Sequence, residues 1–487
     1  MKIKLAVIGD VHYSAAGPVT RPDGVVADIL LLRAVHRINR FIRPDATLVL
    51  GDLIDKIDSA GTAEDLQRLR AILDLLQCPW MALPGNHDGN VDRFCRILPD
   101  AGQWRDIGGF RFLPFVHDRE EPGFNASRLP ADIERIAAAR AGYAGPIIAV
   151  QHISLHPPGC DECPYNLLNA AETLDALNRN GVLLSLGGHY HEGIPLMNTG
   201  ATSILVAPAL VEPPFPFLEV RIDGARIEVV RHELKMPPAL QLVDHHIHTS
   251  FAYCNENMDI PRSADLARRF GLAGLAFTEH ASHLYLTRDQ VDAEIQFHKS
   301  LDQLRGKTTL RAPAYFEAVR AAPAPFARVG LEVECAFDGS PFVAAEDFSR
   351  CETKIGAIHQ LPELLKPKPD LERAGNEYLG LLASFVKSGI QILAHPFRVF
   401  RRSATVIPPQ LFLPVCRLLR ESGVAAEINF HTNWPPPAFI RQCIEAGVKL
   451  SFGSDAHNLY EVGEFAPHLA LLRSLGYDGD IRALLIQ

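Results

Sequence analysis

The chain has 487 residues, 47% of them hydrophobic and 22% charged, which is enough to form two or three domains with ordinary cores. Its 48 Lys and Arg residues against 57 Asp and Glu give a net charge of -9, which argues against a broad electrostatic grip on nucleic acid or on an anionic membrane. The amino terminus lacks signal-peptide features, no apolar stretch is long enough to span a bilayer, and the nine cysteines follow no disulfide pattern. We therefore predict a cytoplasmic protein without a membrane partner. The sequence does not indicate an oligomeric state.

Strands and helices alternate in the first half of the chain. Five short apolar runs predict strands, which are residues 4–8, 46–50, 80–83, 147–150 and 183–186. Helical periodicity at about 25–43 and 63–76 separates the first three strands. Residues 202–233 change to short strands without long helices, and this pattern indicates a closing β layer.

Each of these five strands ends at residues suited to metal binding. The five motifs are Asp10-Val11-His12, Gly51-Asp52, Gly85-Asn86-His87-Asp88, Gln151-His152 and Gly188-His189-Tyr190-His191. Folds with parallel strands place their sites past the carboxyl ends of those strands, and clustered imidazole and carboxylate groups suit transition metals. In this order the motifs resemble those of the calcineurin-like metallophosphoesterases, over about residues 1–235. The resemblance implies a four-layer α/β/β/α sandwich with a site for two divalent metal ions.

The resemblance also implies a role for each motif. Asp52 is expected to bridge two ions ~3.5–4 Å apart, and a hydroxide between them attacks phosphorus. The other implied ligands are Asp10, His12 and His191 for one ion, and Asn86, His152 and His189 for the other. His87 is implied to contact the phosphate or to protonate the leaving group, for which the pKa of imidazole is well suited.

Three assignments in this half stay open. His156 follows the same strand as His152 and is the alternative ligand, although the strand-end position favours His152. Asp88 either orients the neighbouring catalytic histidine or is a solvated loop carboxylate. The pair Cys160-x-x-Cys163 is either half of a structural zinc site or, as we favour, a coincidence within a loop.

A second alternation of strands and helices follows residues 235–239, which have the composition of a linker. The predicted strands lie near residues 241–246, 273–278, 328–334, 354–359, 390–395, 424–429 and 448–453. Residues 308–329 are rich in Ala and Pro and receive no assignment. Seven strand–helix units are one short of an eightfold barrel, which favours a distorted (β/α)7 barrel.

Histidine and carboxylate motifs end the strands of this half as well. They are Asp244-His245-His246-Ile247-His248, Glu279-His280, Glu332-Val333-Glu334, His359, His395-Pro396 and Asp455-Ala456-His457. In this order they resemble the polymerase and histidinol phosphatase (PHP) family over about residues 240–487, closest to its histidinol-phosphatase-like branch. The resemblance implies a distorted seven-stranded barrel that holds two or three metal ions and hydrolyses a phosphomonoester.

By this second resemblance, Glu332 bridges two of the ions, and Glu334 is the alternative. The other implied ligands are His246, His248 and Asp455 for the first ion, His359 and His395 for the second, and His280 and His457 for the third. Many members of the family have one more histidine where this chain has Cys254. That cysteine either binds the third ion as a thiolate or is an ordinary buried thiol.

Three further residues follow strand ends in this half. Arg398 either clamps a phosphate through a bidentate contact or belongs to a solvated basic loop with Arg401 and Arg402. We expect Asn429 and His431 to shape the mouth of the pocket.

Together the two halves predict a bifunctional metal-dependent phosphoesterase. The first site is expected to cleave a phosphodiester or cyclic phosphate and the second a phosphomonoester, in sequence, on a small phosphorylated substrate. The ligand types suit Mn, Zn or Fe. Three alternatives remain: one domain is catalytic while the other binds or regulates, the protein processes nucleic acid, or it hydrolyses bonds other than phosphoesters. The negative net charge weighs against nucleic acid.

Overall fold

The computed structural model describes residues 1–16, 20–56, 61–89, 91–157, 165–304, 311–322 and 326–486. It contains two compact units, Met1–Leu234 and Lys235–Gln487, and each is a mixed α/β structure. The cysteine pair Cys160 and Cys163 lies outside the described residues. Among the described residues, no helix combines the length and the apolar character needed to cross a membrane.

The strands of the first unit form two sheets and a hairpin. They are β1 (Lys2–Ile8), β2 (Ala46–Val49), β3 (Trp80–Ala82), β4 (Arg105–Ile107), β5 (Phe110–Phe115), β6 (Arg119–Glu121), β7 (Asn125–Ser127), β8 (Ile147–Gln151), β9 (Leu184–Gly187), β10 (Ile194–Asn198), β11 (Ser203–Val206), β12 (Pro216–Asp223) and β13 (Arg226–Glu233). One sheet has the order β13-β12-β1-β2-β3 and the other the order β10-β11-β9-β8-β5-β4, while β6 and β7 pair as the hairpin. Neighbours β1, β2 and β3 are parallel, as are β5, β8, β9 and β11.

The core of the first unit lies between these two sheets. It includes Val7 and Leu48 from the first sheet and Ile148 and Leu186 from the second, all fully or almost fully buried. The helices are α1 (Ala27–Arg37), α2 (Thr62–Leu73), α3 (Val91–Cys95), α4 (Pro130–Arg140) and α5 (Ala170–Arg179). Helices α4 and α5 contribute to a second core on the other face of the second sheet, because their apolar residues lie along one stripe.

The second unit is built on one nearly closed parallel sheet. Its strands are β14 (Val243–Ile247), β15 (Gly274–His280), β16 (Ala327–Glu334), β17 (Thr353–Ala357), β18 (Ile392–Leu393), β19 (Ala425–Asn429) and β20 (Leu450–Gly453). They lie in chain order, each parallel to the next. The ends of the sheet approach each other where Ile247 forms a parallel bridge with Ala456 and the Asp455 N–H donates to the His246 carbonyl at 2.7 Å.

Helices connect most of these strands. They are α6 (Ile260–Arg269), α7 (Ala281–Tyr285), α8 (Arg288–Asp292), α9 (Ile295–His298), α10 (Arg311–Arg320), α11 (Ala345–Ser349), α12 (Leu371–Phe385), α13 (Arg398–Arg402), α14 (Phe412–Ser422), α15 (Pro437–Ala446), α16 (Ala466–Ser474) and α17 (Ile481–Leu484). The side chains of Asp259 and Asp370 cap α6 and α12 by accepting backbone N–H bonds of their first turns. The unassigned segment 308–329 contains α10 and the start of β16.

Candidate metal centres

Asp52 lies at the centre of the candidate site in the first unit. The loop after β2 holds its carboxylate fully buried, with Oδ2 3.6 Å from His12 Nε2 and 3.4 Å from His152 Nε2. Its Oδ1 accepts the backbone N–H of His87 at 2.8 Å. Nearby histidines, His152 first among them, hold the pKa of this carboxyl well below its usual range in spite of its burial. The bridging position expected for Asp52 therefore has suitable neighbours on both sides.

Two sets of side chains flank this carboxylate. Asp10, His12 and His191 offer ligand atoms within 4.8 Å of one another, and so do Asp52, His152 and His189. Asn86 completes the second set, with Oδ1 2.9 Å from His152 Nε2. The structure thus brings the predicted ligands of the first unit together as two groups that meet at Asp52.

The facing nitrogens in this site fit metal ions. His12 Nε2 and His191 Nε2 lie 3.1 Å apart. Burial and nearby cationic groups lower the pKa of His191 to about 3, so its imidazole is neutral. A neutral imidazole nitrogen is the form that ligates zinc, manganese or iron.

Backbone carbonyls orient two of these histidines. His152 Nδ1–H donates to the Leu50 carbonyl at 2.8 Å, and His189 Nε2–H donates to the Phe124 carbonyl at 2.8 Å. Each bond fixes the tautomer and turns the other ring nitrogen towards the centre. No sequence pattern marks these two carbonyls, because they belong to residues far away along the chain.

His87 and Asp88 have separate roles. His87 Nδ1–H donates to the Asp55 carbonyl at 2.6 Å, and its ring lines a cavity of about 460 Å³ together with Asp52 and Asn86. Asp88 is fully buried and accepts the backbone N–H groups of Leu53, Ile54 and Gly85. Both expectations for Asp88 were wrong: it neither orients the His87 ring nor lies in solvent. It ties the two ligand loops together, and burial raises its pKa to about 7.

His152 and His156 occupy different positions relative to the central carboxylate. His152 contacts Asp52 and Asn86, as described above. His156 lies farther along the loop, where its backbone N–H and carbonyl exchange hydrogen bonds with the Asn166 side chain at 3.2 Å. The geometry therefore favours His152 as the ligand candidate.

Glu332 is the central carboxylate of the second unit. It is fully buried at the end of β16, with Oε1 2.9 Å from His395 Nε2 and 3.2 Å from His359 Nε2. Its Oε2 lies 2.7 Å from His280 Nδ1. The alternative, Glu334, instead accepts hydrogen bonds from the backbone and hydroxyl of Ser282, and burial raises its pKa to about 8. The geometry favours Glu332 for the bridging position.

The remaining predicted ligands of the first ion surround the same carboxylate. His246 Nε2 is 3.5 Å from both Glu332 Oε2 and Asp455 Oδ1, and His248 Nε2 is 3.0 Å from Asp455 Oδ1. A separation of 3.5 Å exceeds an ordinary hydrogen bond but is normal for two ligands of one ion. This buried set of nitrogen and carboxylate donors fits a transition metal.

Two buried glutamates that the sequence analysis missed orient these histidines. His246 Nδ1–H donates to Glu427 Oε1 at 2.8 Å, and His248 Nδ1–H donates to Glu279 Oε1 at 3.0 Å. Glu427 Oε2 also accepts the backbone N–H of His395 at 2.6 Å. Glu279 directly precedes His280, and Glu427 lies two residues before Asn429 on β19, but only the fold pairs these glutamates with His246 and His248 at the end of β14.

We expect Glu427→Gln to weaken metal binding in the second unit about 10- to 100-fold, because a carboxylate that orients a ligand histidine contributes about this much to affinity. The measurement is metal content at fixed free-metal concentration. Glu421→Gln, an exposed carboxylate of α14, is the matched control and should bind metal as the unmodified protein does. Unchanged affinity in Glu427→Gln would contradict the orienting role.

The predicted third-ion residues also lie together. His248, His280 and His457 offer ligand atoms within 4.8 Å of one another, and a second such group consists of Cys254, His280 and His283. Cys254 is exposed, so the expectation of an ordinary buried thiol was wrong. His283 was not among the predicted ligands, because it lies within α7 and outside every motif.

Arg398 is buried against the predicted ligands. Its Nη1 donates to Asp455 Oδ2 at 2.6 Å, and its Nη2 lies 2.6 Å from His395 Nε2. Arg401 and Arg402 are exposed, so the expectation of one solvated basic loop does not hold for Arg398. This guanidinium also lines a cavity of about 770 Å³ within the second unit.

Asn429 and His431 differ in their positions. Asn429 is fully buried and donates to Asp455 Oδ2 at 3.1 Å, so the expectation that it shapes the pocket mouth was wrong. His431 lines the cavity and stacks on His457 with ring centroids 4.6 Å apart, while its Nδ1 lies 2.9 Å from Glu461 Oε1. Of these two residues, only His431 is therefore placed to contact a molecule bound in the cavity.

The fold and these centres define a class of protein. Residues 3–193, which make up most of the first unit, match the family described as calcineurin-like phosphoesterase. The protein is a metal-dependent hydrolase of phosphoester bonds.

Individual proteins resemble parts of the chain. A probable histidinol-phosphatase of Deinococcus radiodurans is 26% identical over 261 residues, which cover 48% of this chain and 94% of that protein. A probable cyclic nucleotide phosphodiesterase of a Synechococcus strain is 27% identical over 248 residues, 46% of this chain and 90% of that protein. A solved dimetal phosphatase from Danio rerio matches with a TM-score of 0.41 and 17% identity, over 47% of this chain and 96% of its own.

Proposed function

We propose that the chain is a bifunctional phosphoesterase, in which the first unit hydrolyses a phosphodiester or cyclic phosphate and the second hydrolyses a phosphomonoester. One observation carries the proposal: each unit gathers its own buried set of histidines around its own central carboxylate, Asp52 or Glu332. A unit that only bound or regulated would not need such a set. The two relatives named for a phosphodiesterase and a phosphatase support the division of labour.

The cavities support a small phosphorylated substrate. The volumes of about 460 Å³ and 770 Å³ fall in the range of ordinary small-molecule sites. Each cavity is lined by predicted ligands of its own unit, so a substrate phosphate can reach them.

The metal ions and the side chains of each unit have separate roles in the proposed reactions. Bound divalent ions, expected to be Mn, Zn or Fe, would supply an activated water and neutralise charge on the phosphoryl oxygens, two in the first unit and two or three in the second. In the first unit, the Nδ1 bond of His87 to the Asp55 carbonyl leaves Nε2 to exchange a proton with the leaving group. In the second, the Arg398 guanidinium lines the cavity beside the predicted ligands, where its positive charge neutralises the phosphate.

Two isosteric variants test the division of labour. Asp52→Asn and Glu332→Gln each remove the charge of one central carboxylate with little change in volume. With added manganese, we expect Asp52→Asn to lose cleavage of an aryl phosphodiester at least 100-fold while it keeps monoester cleavage. Glu332→Gln should show the reverse, with a loss of similar size, since misplacement of reacting groups alone costs ~100-fold.

The outcomes distinguish a chain with two catalytic units from a chain with one. If Glu332→Gln also leaves the phosphomonoester product of diester cleavage to accumulate, the second unit is the enzyme that consumes it. If one variant loses both activities and the other loses neither, the chain has a single catalytic unit for these substrates, and the bifunctional proposal fails.

A further inference from the structure

The cavity of the first unit contains a basic residue that belongs to none of the metal-binding motifs. Arg21 lies in the loop between β1 and α1, and it lines the cavity of about 460 Å³ together with Asp52 and His87. Among the described residues, it is the only lysine or arginine in this lining. A guanidinium has paired donors whose geometry matches the oxygens of a phosphate.

An ion pair holds the Arg21 side chain beside the metal centre. Its Nε lies 3.3 Å from Glu212 Oε1, and the same carboxylate oxygen lies 3.4 Å from Nδ1 of the predicted ligand His191. The side chains of Arg21 and Glu212 are 34% and 45% exposed. Ion pairs this exposed contribute little to folding stability, so stability alone does not account for a guanidinium at this position.

The outer nitrogens of this guanidinium remain available to a ligand. Nη1 lies 3.5 Å from the Thr20 carbonyl, at the limit of a hydrogen bond, and Nη2 makes no hydrogen bond to any described residue. The positive charge also acts on the metal centre: burial first, and then the charges of His12 and Arg21, lower the pKa of His191 to about 3. Arg21 therefore brings unused donors and a fixed charge to the place where a phosphate would bind.

We propose that Arg21 is a catalytic residue of the first unit that binds a non-bridging oxygen of the scissile phosphodiester, with Glu212 as its positioning residue. The inference rests on the phosphodiesterase activity proposed for this unit. Hydrolysis adds the oxygen of water to phosphorus and breaks one ester bond, and the alcohol leaves with a proton from His87. Throughout this exchange the non-bridging oxygens carry negative charge, and donors that are already in place stabilise this charge and orient the phosphate.

Removal and replacement of the guanidinium test this contact. In the Glu332→Gln background, which is expected to silence the second unit, Arg21→Ala should lower kcat/KM for an aryl phosphodiester about 10- to 100-fold, the loss expected for a hydrogen bond to a charged group. Inhibition by inorganic phosphate should weaken by a similar factor, while the manganese content stays unchanged. Guanidinium ion added in solution should restore part of the lost activity, whereas urea, which has a similar shape but no charge, should not.

Two further variants separate the contact with substrate from other effects. Arg179→Ala removes an arginine of α5 that also forms an exposed ion pair, with Asp175, but lies outside the cavity lining, so it should alter none of these values. Glu212→Gln should lower kcat/KM at saturating manganese and add no further loss in an Arg21→Ala chain, because it acts through Arg21. A further loss in the double variant would overturn the positioning role of Glu212.

An Arg21→Ala variant with unchanged kcat/KM, or with a loss that guanidinium does not restore better than urea, would overturn the inference. Diester cleavage that still depends on Asp52 would then leave the proposed function standing. If the unmodified first unit cleaves no aryl phosphodiester, the proposed function fails, and the inference fails with it.

Discussion

Gly85→Ala is expected to reduce phosphodiester cleavage by the first unit at least ~100-fold, the loss that follows a displacement of about 1 Å in a reacting group. A Cβ atom at this position would overlap Asp52 Oδ1 and the Asp52 backbone nitrogen. The Gly85 N–H also donates to Asp88 Oδ2 at 2.8 Å. The backbone at Gly85 therefore cannot move away from Asp52 without breaking this bond, which joins the two ligand loops. The central carboxylate must therefore move.

The control for this substitution is Gly380→Ala. A Cβ there meets nothing within 4 Å, and the residue is exposed within α12, so the same chemical change should stabilise the helix by about 1 kcal/mol. Diester and monoester turnover are measured in both variants together with thermal unfolding. Monoester turnover should survive Gly85→Ala, since the second unit has its own centre. Retained diester turnover in Gly85→Ala would mean that Asp52 is not central to the reaction.

The positions of the strands could be predicted from sequence because of how they are buried. Strands β14 to β20 form a parallel sheet, and β16 is buried over its last six residues. Such strands appear as nearly continuous apolar runs that end abruptly at polar residues. For the same reason the motifs containing Asp52 and Glu332 marked strand ends, and the fold brings those ends together. The layer order of the first unit and the (β/α)7 classification remain predictions.

The groups that support the metal ligands could not be predicted in the same way. Glu427 lies 181 residues from His246, and the Leu50 carbonyl lies 102 residues from His152. A hydrogen bond between residues so far apart depends on the folded register, which no local pattern encodes. For Asp88, the loop context left open a histidine-orienting role or exposure to solvent, whereas its carboxylate accepts three backbone N–H groups instead.

Backbone strain at the two candidate metal centres could not be predicted from the sequence either. Among the described residues, fourteen other than glycine have positive φ, and six of them are predicted ligands: Asp10, His12, Asp52, His189, His395 and Asp455. Residues in this region cost free energy and persist where the surrounding structure imposes them. The strain lies in the loops that follow the strands, where the chain must turn to aim each ligand atom inwards.

Metal uptake by the metal-free protein should release at least one proton from each unit at pH 7. Burial lowers the pKa of His152, but the negative charge of Asp52 outweighs this effect and raises the pKa to about 10. In the second unit, bonds to Asp455 and Glu279 overcome burial and raise the pKa of His248 to about 9. Both imidazoles are therefore protonated at pH 7 without metal, and each must lose its proton to bind an ion.

The sign of the pH dependence follows from these pKa values. Because bound metal competes with at least one histidine proton in each unit, the apparent affinity of each unit should rise at least tenfold per pH unit from pH 7 towards the pKa and level off above it. Calorimetric titration with Mn²⁺ in two buffers of different ionisation enthalpy measures the released protons directly. Uptake without proton release would show that His152 and His248 are already neutral, or that neither binds the ion. The other flanking histidines sharpen this test: burial lowers the pKa of His189 to about 4 and of His457 to about 3, so neither contributes a proton at pH 7.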